Sequence, residues 1–395
     1  MISSSTERWL LPEGIDELLP DQAHFLEQLR RKIYDLHLSW GYQPVAPPFV
    51  EYLESLLSIA GADFERQTFK IADPLTGRMM GLRADMTPQV ARVDAHRLGN
   101  EGINRLFYLG TVVRTYGDSA DGGRSPIQLG AELFGHSGNG SDIEIIRLML
   151  ATLDVVGIGH VHLDLGDADI FRTLCNQIGL NEPDQELLFT LLQRKAQADV
   201  GAFCSAKGVS SGHCTVLSEL CMLHGDASVL ARAKQVFEPY GEDILETIAR
   251  LGLIGEALAD LSACTVHFDL AELRGYQYHN GIVFAAYVAD VGVEVARGGR
   301  YDGIGDAFGR SRTATGYSTD LKNLMRILMR NSGGADRSIP NAILAPAVAD
   351  PELDQLVSGL REKGEIVITD LGEQSLAVCD RKLIQHNGKW LLESR

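Results

Sequence analysis

Ile127-Gln128-Leu129-Gly130-Ala131-Glu132-Leu133-Phe134-Gly135 alternates residue by residue. Ile127, Leu129, Ala131 and Leu133 point to one side and Gln128, Gly130 and Glu132 to the other, which is the period of a β-strand. An amide, a glycine and an acid on one face are odd for a core. Two explanations stand. The face is solvated, as on an antiparallel sheet with one wet side. Or the glycine leaves room for something to lie on the sheet between the acid and the amide. A β-rich run at 106–115 and a Gly- and Asp-rich loop at 116–125 lead into this strand from the N-terminal side.

A second unusual stretch is Leu273-Arg274-Gly275-Tyr276-Gln277-Tyr278-His279-Asn280-Gly281, between the β-prone runs 264–270 and 282–288. Its arginine, tyrosines, glutamine and histidine suit a pocket for a small polar molecule. The alternative is a surface loop in a hairpin or a longer strand connection.

Around these two stretches the pattern is mixed. Residues 21–40 read as an amphipathic helix on Phe25, Leu29, Ile33, Leu36 and Trp40, stopped by Gly41. The prolines of 41–48 forbid helix and suit an edge strand or an extended crossing. Residues 69–71 and 79–83 read as a hairpin around Asp73-Pro74-Leu75-Thr76-Gly77. Thr87-Pro88 opens a helix to Leu98 with Thr87 as its cap. Ser141-Asp142 caps a helix to about 153, and 160–165 is a strand. Helical patterns then fill the region from 168 to about 260. A strand at 291–297 precedes a sharp turn at Gly298-Gly299-Arg300-Tyr301-Asp302, and 316–329 has apolar residues at helical spacing. Asn331-Ser332-Gly333-Gly334 suits a linker. Beyond it, 339–345, 351–363 and 365–370 form a strand-helix-strand pattern, and Asn387-Gly388 marks a tight hairpin. The expected organisation is one α+β domain over 1–330, with a helical insertion at about 168–260, and a small C-terminal α/β module over 331–395.

With 45% hydrophobic and 23% charged residues among 395, the composition is that of an ordinary globular protein. No apolar run approaches a membrane span, and residues 1–8 lack the pattern of a secretory signal. Six scattered cysteines do not suggest a disulfide framework, so a reduced, cytoplasmic protein without a membrane partner is expected. The net charge of −17 argues against a nucleic-acid partner.

No Gly-x-Ser-x-Gly elbow and no phosphate loop occur, and the spacing of Cys204, His213, Cys214, Cys221 and His224 fits no structural zinc motif. No metal or other cofactor is expected. Polar groups recur instead on successive β elements: Arg83, Asp85 and Thr87; Arg114; Gln128 and Glu132; Arg274, Tyr278 and His279. This set suits an amino-acid ligand, with an acid for the ammonium group and an arginine for the carboxylate.

At these residues the chain resembles the catalytic domain of the class II aminoacyl-tRNA synthetases, and most closely that of histidyl-tRNA synthetase. Gly41-Tyr42 with Pro47 and Glu51 is similar to the first class signature, a dimer-interface element. Arg83-Ala84-Asp85-Met86-Thr87 resembles the Arg-Pro-Glu-Gly-Thr stretch that contacts histidine. Val113-Arg114 resembles the second signature. Gln128 to Glu132 resembles the histidine-holding strand, and Leu273-Arg274-Gly275 the histidine-specific element. Gly298-Gly299-Arg300-Tyr301-Asp302-Gly303 is similar to the run that leads into the third signature. The resemblance implies an antiparallel sheet flanked by helices and a dimer.

The departures are specific. Arg-x-Glu of the second signature is here Arg114-Thr115-Tyr116. Gly-Leu-Glu-Arg of the third, whose arginine holds the ATP γ-phosphate, is Asp320-Leu321-Lys322-Asn323. Loss of that guanidinium removes a bidentate phosphate clamp, so ATP activation should fail. About 55 residues after Ile339 are too few for the synthetases' anticodon-binding domain. This pattern, with the opening Leu11-Pro12-Glu13-Gly14-Ile15, resembles the regulatory subunits of ATP phosphoribosyltransferase. That resemblance implies a noncatalytic chain in histidine biosynthesis. It would activate a short-form catalytic subunit within a hetero-octamer and confer feedback inhibition by histidine. The implied effector site is Asp85, Thr87, Arg114, Gln128, Glu132, Arg274, Tyr278 and His279. Glu132 and Asp85 would take the ammonium with Gln128 and Thr87 assisting, Arg274 the carboxylate, and Tyr278 and His279 the side chain. The rival is a divergent histidyl-tRNA synthetase or another histidine-activating enzyme.

Overall fold

A computed structural model describes residues 9–57, 62–99, 101–117, 123–272, 279–289, 292, 294–305, 309–331, 342–372 and 379–394, without the side chains of 62, 63 and 331. The linker expected at 331–334 and the stretch 273–278 therefore lie outside the described residues, apart from the backbone of Asn331. The chain divides into two compact units, Met1–Glu17 with Leu26–Leu328, and Leu18–Phe25 with Met329–Arg395.

The first elements are α1 (Pro20–Ser39), β1 (Gln43–Pro44), β2 (Val50–Tyr52), α2 (Leu53–Leu56), α3 (Ala62–Gln67), β3 (Lys70–Ala72) and β4 (Met79–Leu82). The buried stripe of α1 is Leu26, Leu29, Ile33 and His37, with the expected Leu29 and Ile33 in place and Leu26 and His37 one residue beyond Phe25 and Leu36. A histidine can occupy that stripe because both ring nitrogens are satisfied, by the Ile33 carbonyl at 2.8 Å and the Tyr317 hydroxyl at 2.9 Å. Burial holds its pKa down at about 4, so it sits there neutral. β1 pairs with one strand only, at the sheet edge, as its prolines require. β3 and β4 form the expected hairpin, and β2 completes a small antiparallel sheet with them.

Next come α4 (Thr87–Val93), which continues as a π-helical turn over Asp94–Leu98, β5 (Asn104–Thr111), β6 (Ile127–Phe134), α5 (Asn139–Val156) and β7 (Val161–Asp167). Thr87 is not the cap of α4. Asp85 accepts the Thr87 amide at 2.8 Å, which frees the threonine hydroxyl for another partner. α5 begins two residues before Ser141, whose hydroxyl instead ties down the His136 and Gly138 carbonyls.

The insertion follows as α6 (Ala168–Ile178), α7 (Glu182–Gln193), α8 (Gln197–Lys207), α9 (Ser211–Leu220), β8 (His224–Gly225), α10 (Ser228–Phe237) and α11 (Glu242–Leu258). Next in the chain are β9 (Cys264–Asp269), β10 (Ile282–Tyr287), β11 (Glu294–Arg300), β12 (Ala314–Asp320) and α12 (Leu321–Asn331). Two expectations fail here. Gly298-Gly299-Arg300 is no turn but the end of β11, and 316–320 is strand rather than helix. The glycines explain both. A side chain on Gly298 would strike the Gly316 carbonyl and Phe284, so the pair lets strands pack where any Cβ would not fit.

Among the described residues, nine strands form one sheet in the order β1-β5-β6-β12-β11-β10-β7-β9-β8. The pairs β1·β5 and β7·β9 are parallel and the others antiparallel. β7 lies between β9 and β10, so the segment that joins them is a longer connection and not a hairpin. All eight residues of β6 are buried, which excludes the solvated-face explanation for Gln128, Gly130 and Glu132. Met86, Val90 and Ala91 at and beside the start of α4 pack with Leu106, Tyr108, Tyr301 and Ala314 in one apolar cluster. Each such large apolar side chain contributes about 1.5–3 kcal/mol by leaving water.

In the second unit β13 (Ala342–Pro346), α13 (Pro351–Glu362), β14 (Val367–Asp370), β15 (Cys379–His386) and β16 (Lys389–Ser394) form a four-stranded sheet in the order β14-β13-β15-β16. Ile343, Ala345, Leu353, Val367 and Leu383 are its core. Asp350 caps α13 through the Glu352 amide at 2.9 Å and accepts the Trp390 indole N–H at 2.9 Å. No helix among the described residues is long and apolar enough to cross a membrane.

Candidate functional site

β5 and β6 set the site. Their register places Tyr108 opposite Gly130 and Leu106 opposite Glu132, while β12 sets Gly316 beside Glu132 from the other side. A Cβ on Gly130 would collide with the Tyr108 hydroxyl, and one on Gly316 with Glu132 Oε2. The room beside Gly130 is therefore filled by the Tyr108 ring. That ring crosses the glycine and donates its hydroxyl to Glu132 Oε1 at 2.8 Å. Tyr301, just past the end of β11, donates to Oε2 of the same carboxylate.

Glu132 is 1% exposed. Burial pushes its pKa up to about 8, against the opposing pull of the two tyrosine hydroxyls and of Thr87, with Asp85 adding repulsion. Without a positive partner this carboxyl holds its proton near neutrality. A cation or a strong N–H donor beside it would favour the ionised form.

The other described site residues join this pair in one chain of contacts. Thr87 and the Tyr108 hydroxyl lie 2.8 Å apart, and since the tyrosine proton goes to Glu132, Thr87 is the donor. The Gln128 amide donates to Asp85 Oδ1 at 2.9 Å and accepts the Met86 amide at 2.8 Å, so it orients the acid and the turn that carries it. Asp85 and Thr87 are half-buried, nearer solvent than Glu132. Arg114 donates through Nε to the Ala84 carbonyl at 3.1 Å, next to Asp85. His279 lies on Gly299, whose Cβ would come within 2.8 Å of its Nδ1, and its ring centre is 6.4 Å from that of Tyr301. Burial lowers its pKa to about 4, so the ring is neutral. Arg274 and Tyr278 lie outside the described residues.

Arg83 turns away from this group. It donates to the Thr111 carbonyl at 2.8 Å and to that of Pro47 at 2.8 Å, a structural tie between chain crossings. Arg300 is likewise buried, with its guanidinium on Asp142 at 2.9 Å, on the Ser141 hydroxyl and on the His136 carbonyl. It anchors the residue immediately before Tyr301. Among the described residues no three His, Cys, Asp or Glu side chains gather as metal ligands.

Tyr108 and Tyr301 are the functional candidates missed in the sequence. Tyr108 sits in a run that reads as plain apolar strand, and its role depends on the register opposite Gly130. Tyr301 follows two glycines and an arginine that look like a turn.

The nine-stranded sheet and its acid-tyrosine site make this a protein of the class II, histidyl-tRNA synthetase-like fold. The histidyl-tRNA synthetase family profile matches residues 14–324. The profile of the ATP phosphoribosyltransferase subunit HisZ C-terminal domain matches residues 340–393. The chain belongs to the family of ATP phosphoribosyltransferase regulatory subunits. It is 49% identical over 385 residues to the protein of that name from Thioalkalivibrio sulfidiphilus, covering 96% of each chain. With its counterpart from Methylococcus capsulatus it shares 46% identity over 389 residues, 97% of this chain and 95% of the other. Among solved structures, one described as an ATP phosphoribosyltransferase regulatory subunit/histidyl-tRNA synthetase from Bacillus halodurans superposes with a TM-score of 0.80 at 26% identity, covering 92% of this chain and 93% of that one. A histidyl-tRNA synthetase from a Nostoc species, at 16% identity and a TM-score of 0.77 over 98% of this chain and 97% of its own, has the same fold.

Proposed function

We propose that this chain is a noncatalytic regulatory subunit that activates a short-form ATP phosphoribosyltransferase catalytic subunit in a hetero-octamer and confers inhibition by histidine. Histidine is the effector, bound between Asp85, Thr87, Arg114, Gln128, Glu132, Arg274, Tyr278 and His279. The observation that carries this reading is the buried Glu132 carboxyl, held by Tyr108 and Tyr301 over glycine-lined strands in a chain whose relatives bear the regulatory name.

Differences in depth support a division of roles. Asp85 is half-buried and braced by Gln128 and the Thr87 amide, which suits the ammonium end of an amino acid. Glu132 is the more deeply buried of the two site acids, which suits the imidazole N–H of the ligand better than its ammonium. Arg274 takes the carboxylate. Tyr108 and Tyr301 hold the acid in place.

The synthetase chemistry is lost on the nucleotide side. Asp320, at the place of a signature glycine, spends Oδ1 on the Ile127 amide at 3.1 Å and the Lys322 amide at 3.0 Å. Asn323 supplies no guanidinium, and Tyr116 replaces an acid. Histidine-dependent ATP–pyrophosphate exchange is expected to be absent, and its presence would favour the synthetase-like alternative. The direct test of the site is calorimetric titration of the purified chain with histidine. Binding that disappears in Glu132→Gln and Asp85→Asn supports the assignment. Equal binding by both variants, or no binding by the parent chain, would refute it.

A further inference from the structure

The segment before α1 carries an acid that the histidine site does not use. Asp16 Oδ1 accepts from Lys322 Nζ at 2.7 Å and from the Ser125 hydroxyl at 3.2 Å, while Oδ2 accepts from an Arg326 Nη at 2.7 Å. Lys322 and Arg326 stand four residues apart on α12 and so share one face. The Lys322 side chain is 8% exposed, and an ammonium so deeply placed needs a counter-charge. Asp16 supplies it. Among the described residues, Asp16 forms an ion pair with each of these two cations. A second acid, Asp320, is felt electrostatically by both cations, but its Oδ1 is taken by the Ile127 and Lys322 backbone amides.

Two cations and a hydroxyl that converge on both oxygens of one anion form the donor set that recognises a phosphate group. We propose that Asp16 is an internal anion seated in a phosphate-type cradle of Lys322, Arg326 and Ser125, and that this cradle accepts a polyphosphate once the carboxylate is gone. The occupant is tethered. Gly14, at φ +72, offers its carbonyl to the Arg124 amide at 2.6 Å, and the Glu13 carbonyl accepts from the Arg124 side chain at 3.1 Å. A tethered group competes at an effective concentration on the order of millimolar, so a free anion binds the parent chain weakly. Upstream, Trp9 and Leu10 are 81% and 74% exposed, so the outer end of the segment adds little to the hold.

The test is titration of the full chain with pyrophosphate, followed by calorimetry and by the shift in unfolding temperature. Asp16→Asn is expected to bind at least about ten-fold more tightly than the parent, and Asp16→Asn combined with Lys322→Met is expected to lose that gain. Affinity in Asp16→Asn no higher than in the parent would overturn the proposal. So would a gain that survives in the double variant. Asp16→Ser serves as the second single substitution. If either single variant fails to fold alone, pyrophosphate should restore its circular dichroism and thermal transition. Absence of that rescue would mean that Asp16 is a structural counter-ion whose place no phosphate can take, and the proposal fails.

Discussion

Tyr108 lies across Gly130 and donates its hydroxyl to Glu132 at 2.8 Å. An aromatic ring on one strand, a glycine opposite it and an acid two residues further along form a single unit. The glycine makes room for the ring, and the ring presents the acid. Gly130→Ala should therefore displace Tyr108. Overpacking there costs about 1–3 kcal/mol, and histidine binding should weaken by more than the loss in the exposed-site control Tyr116→Ala. Denaturant unfolding and calorimetry on both variants measure this.

Glu132 gives the protein a pH signature. Its folded pKa, raised to about 8 by burial, stands above the ordinary carboxyl value of 4.5. The stability it contributes is fully present below 4.5 and is lost as the pH rises through 8, because the unfolded chain gives up the proton first. The slope between those limits is about 1.4 kcal/mol per pH unit for a single proton. Glu132→Gln should flatten the profile between pH 5 and pH 8 relative to the parent chain. Parallel profiles from urea unfolding would contradict the proton-holding role.

The Arg300–Asp142 pair fixes the strand end that aims Tyr301. Both side chains are nearly sealed, and breaking one partner of a buried pair costs about 3–5 kcal/mol. Asp142→Asn should lower the unfolding free energy by that amount, read as a lower denaturant midpoint. It should also weaken histidine binding through the misplaced Tyr301, although Asp142 touches none of the proposed effector contacts.

At the hairpin of the second unit, Asn387 and Gly388 have φ of 50° and 77°. Both positive values belong to the two-residue turn that matches strand twist. Gly388→Ala should cost about 1 kcal/mol, read as a lower melting temperature.

That hairpin was legible in the sequence because Asn-Gly carries its own backbone preference. The same holds for the prolines of β1 and for the period-two pattern of β6. Elements whose identity depends on partners were harder to read. The helical spacing over 316–329 belongs to its later part, and Gly316 to Asp320 is a strand because Gly316 must pass Glu132 and Gly298 must pass the Gly316 carbonyl. His37 took a core position that its residue type argues against, because Tyr317, 280 residues away, completes its hydrogen bonds. The polar face of β6 was recognised, but its filling by Tyr108 depends on a register that alternation alone does not supply. Asp16 and Lys322 are 306 residues apart and follow no motif.

The central claim is that this chain carries histidine sensitivity to a catalytic partner. The most direct measurement is the initial rate of a purified short-form ATP phosphoribosyltransferase catalytic subunit, with and without this chain, across a histidine titration. The expected result is a rate increase on adding the chain, reversed by histidine with the parent protein and not with Glu132→Gln. A catalytic subunit whose rate and histidine response are the same with and without the chain would contradict the claim.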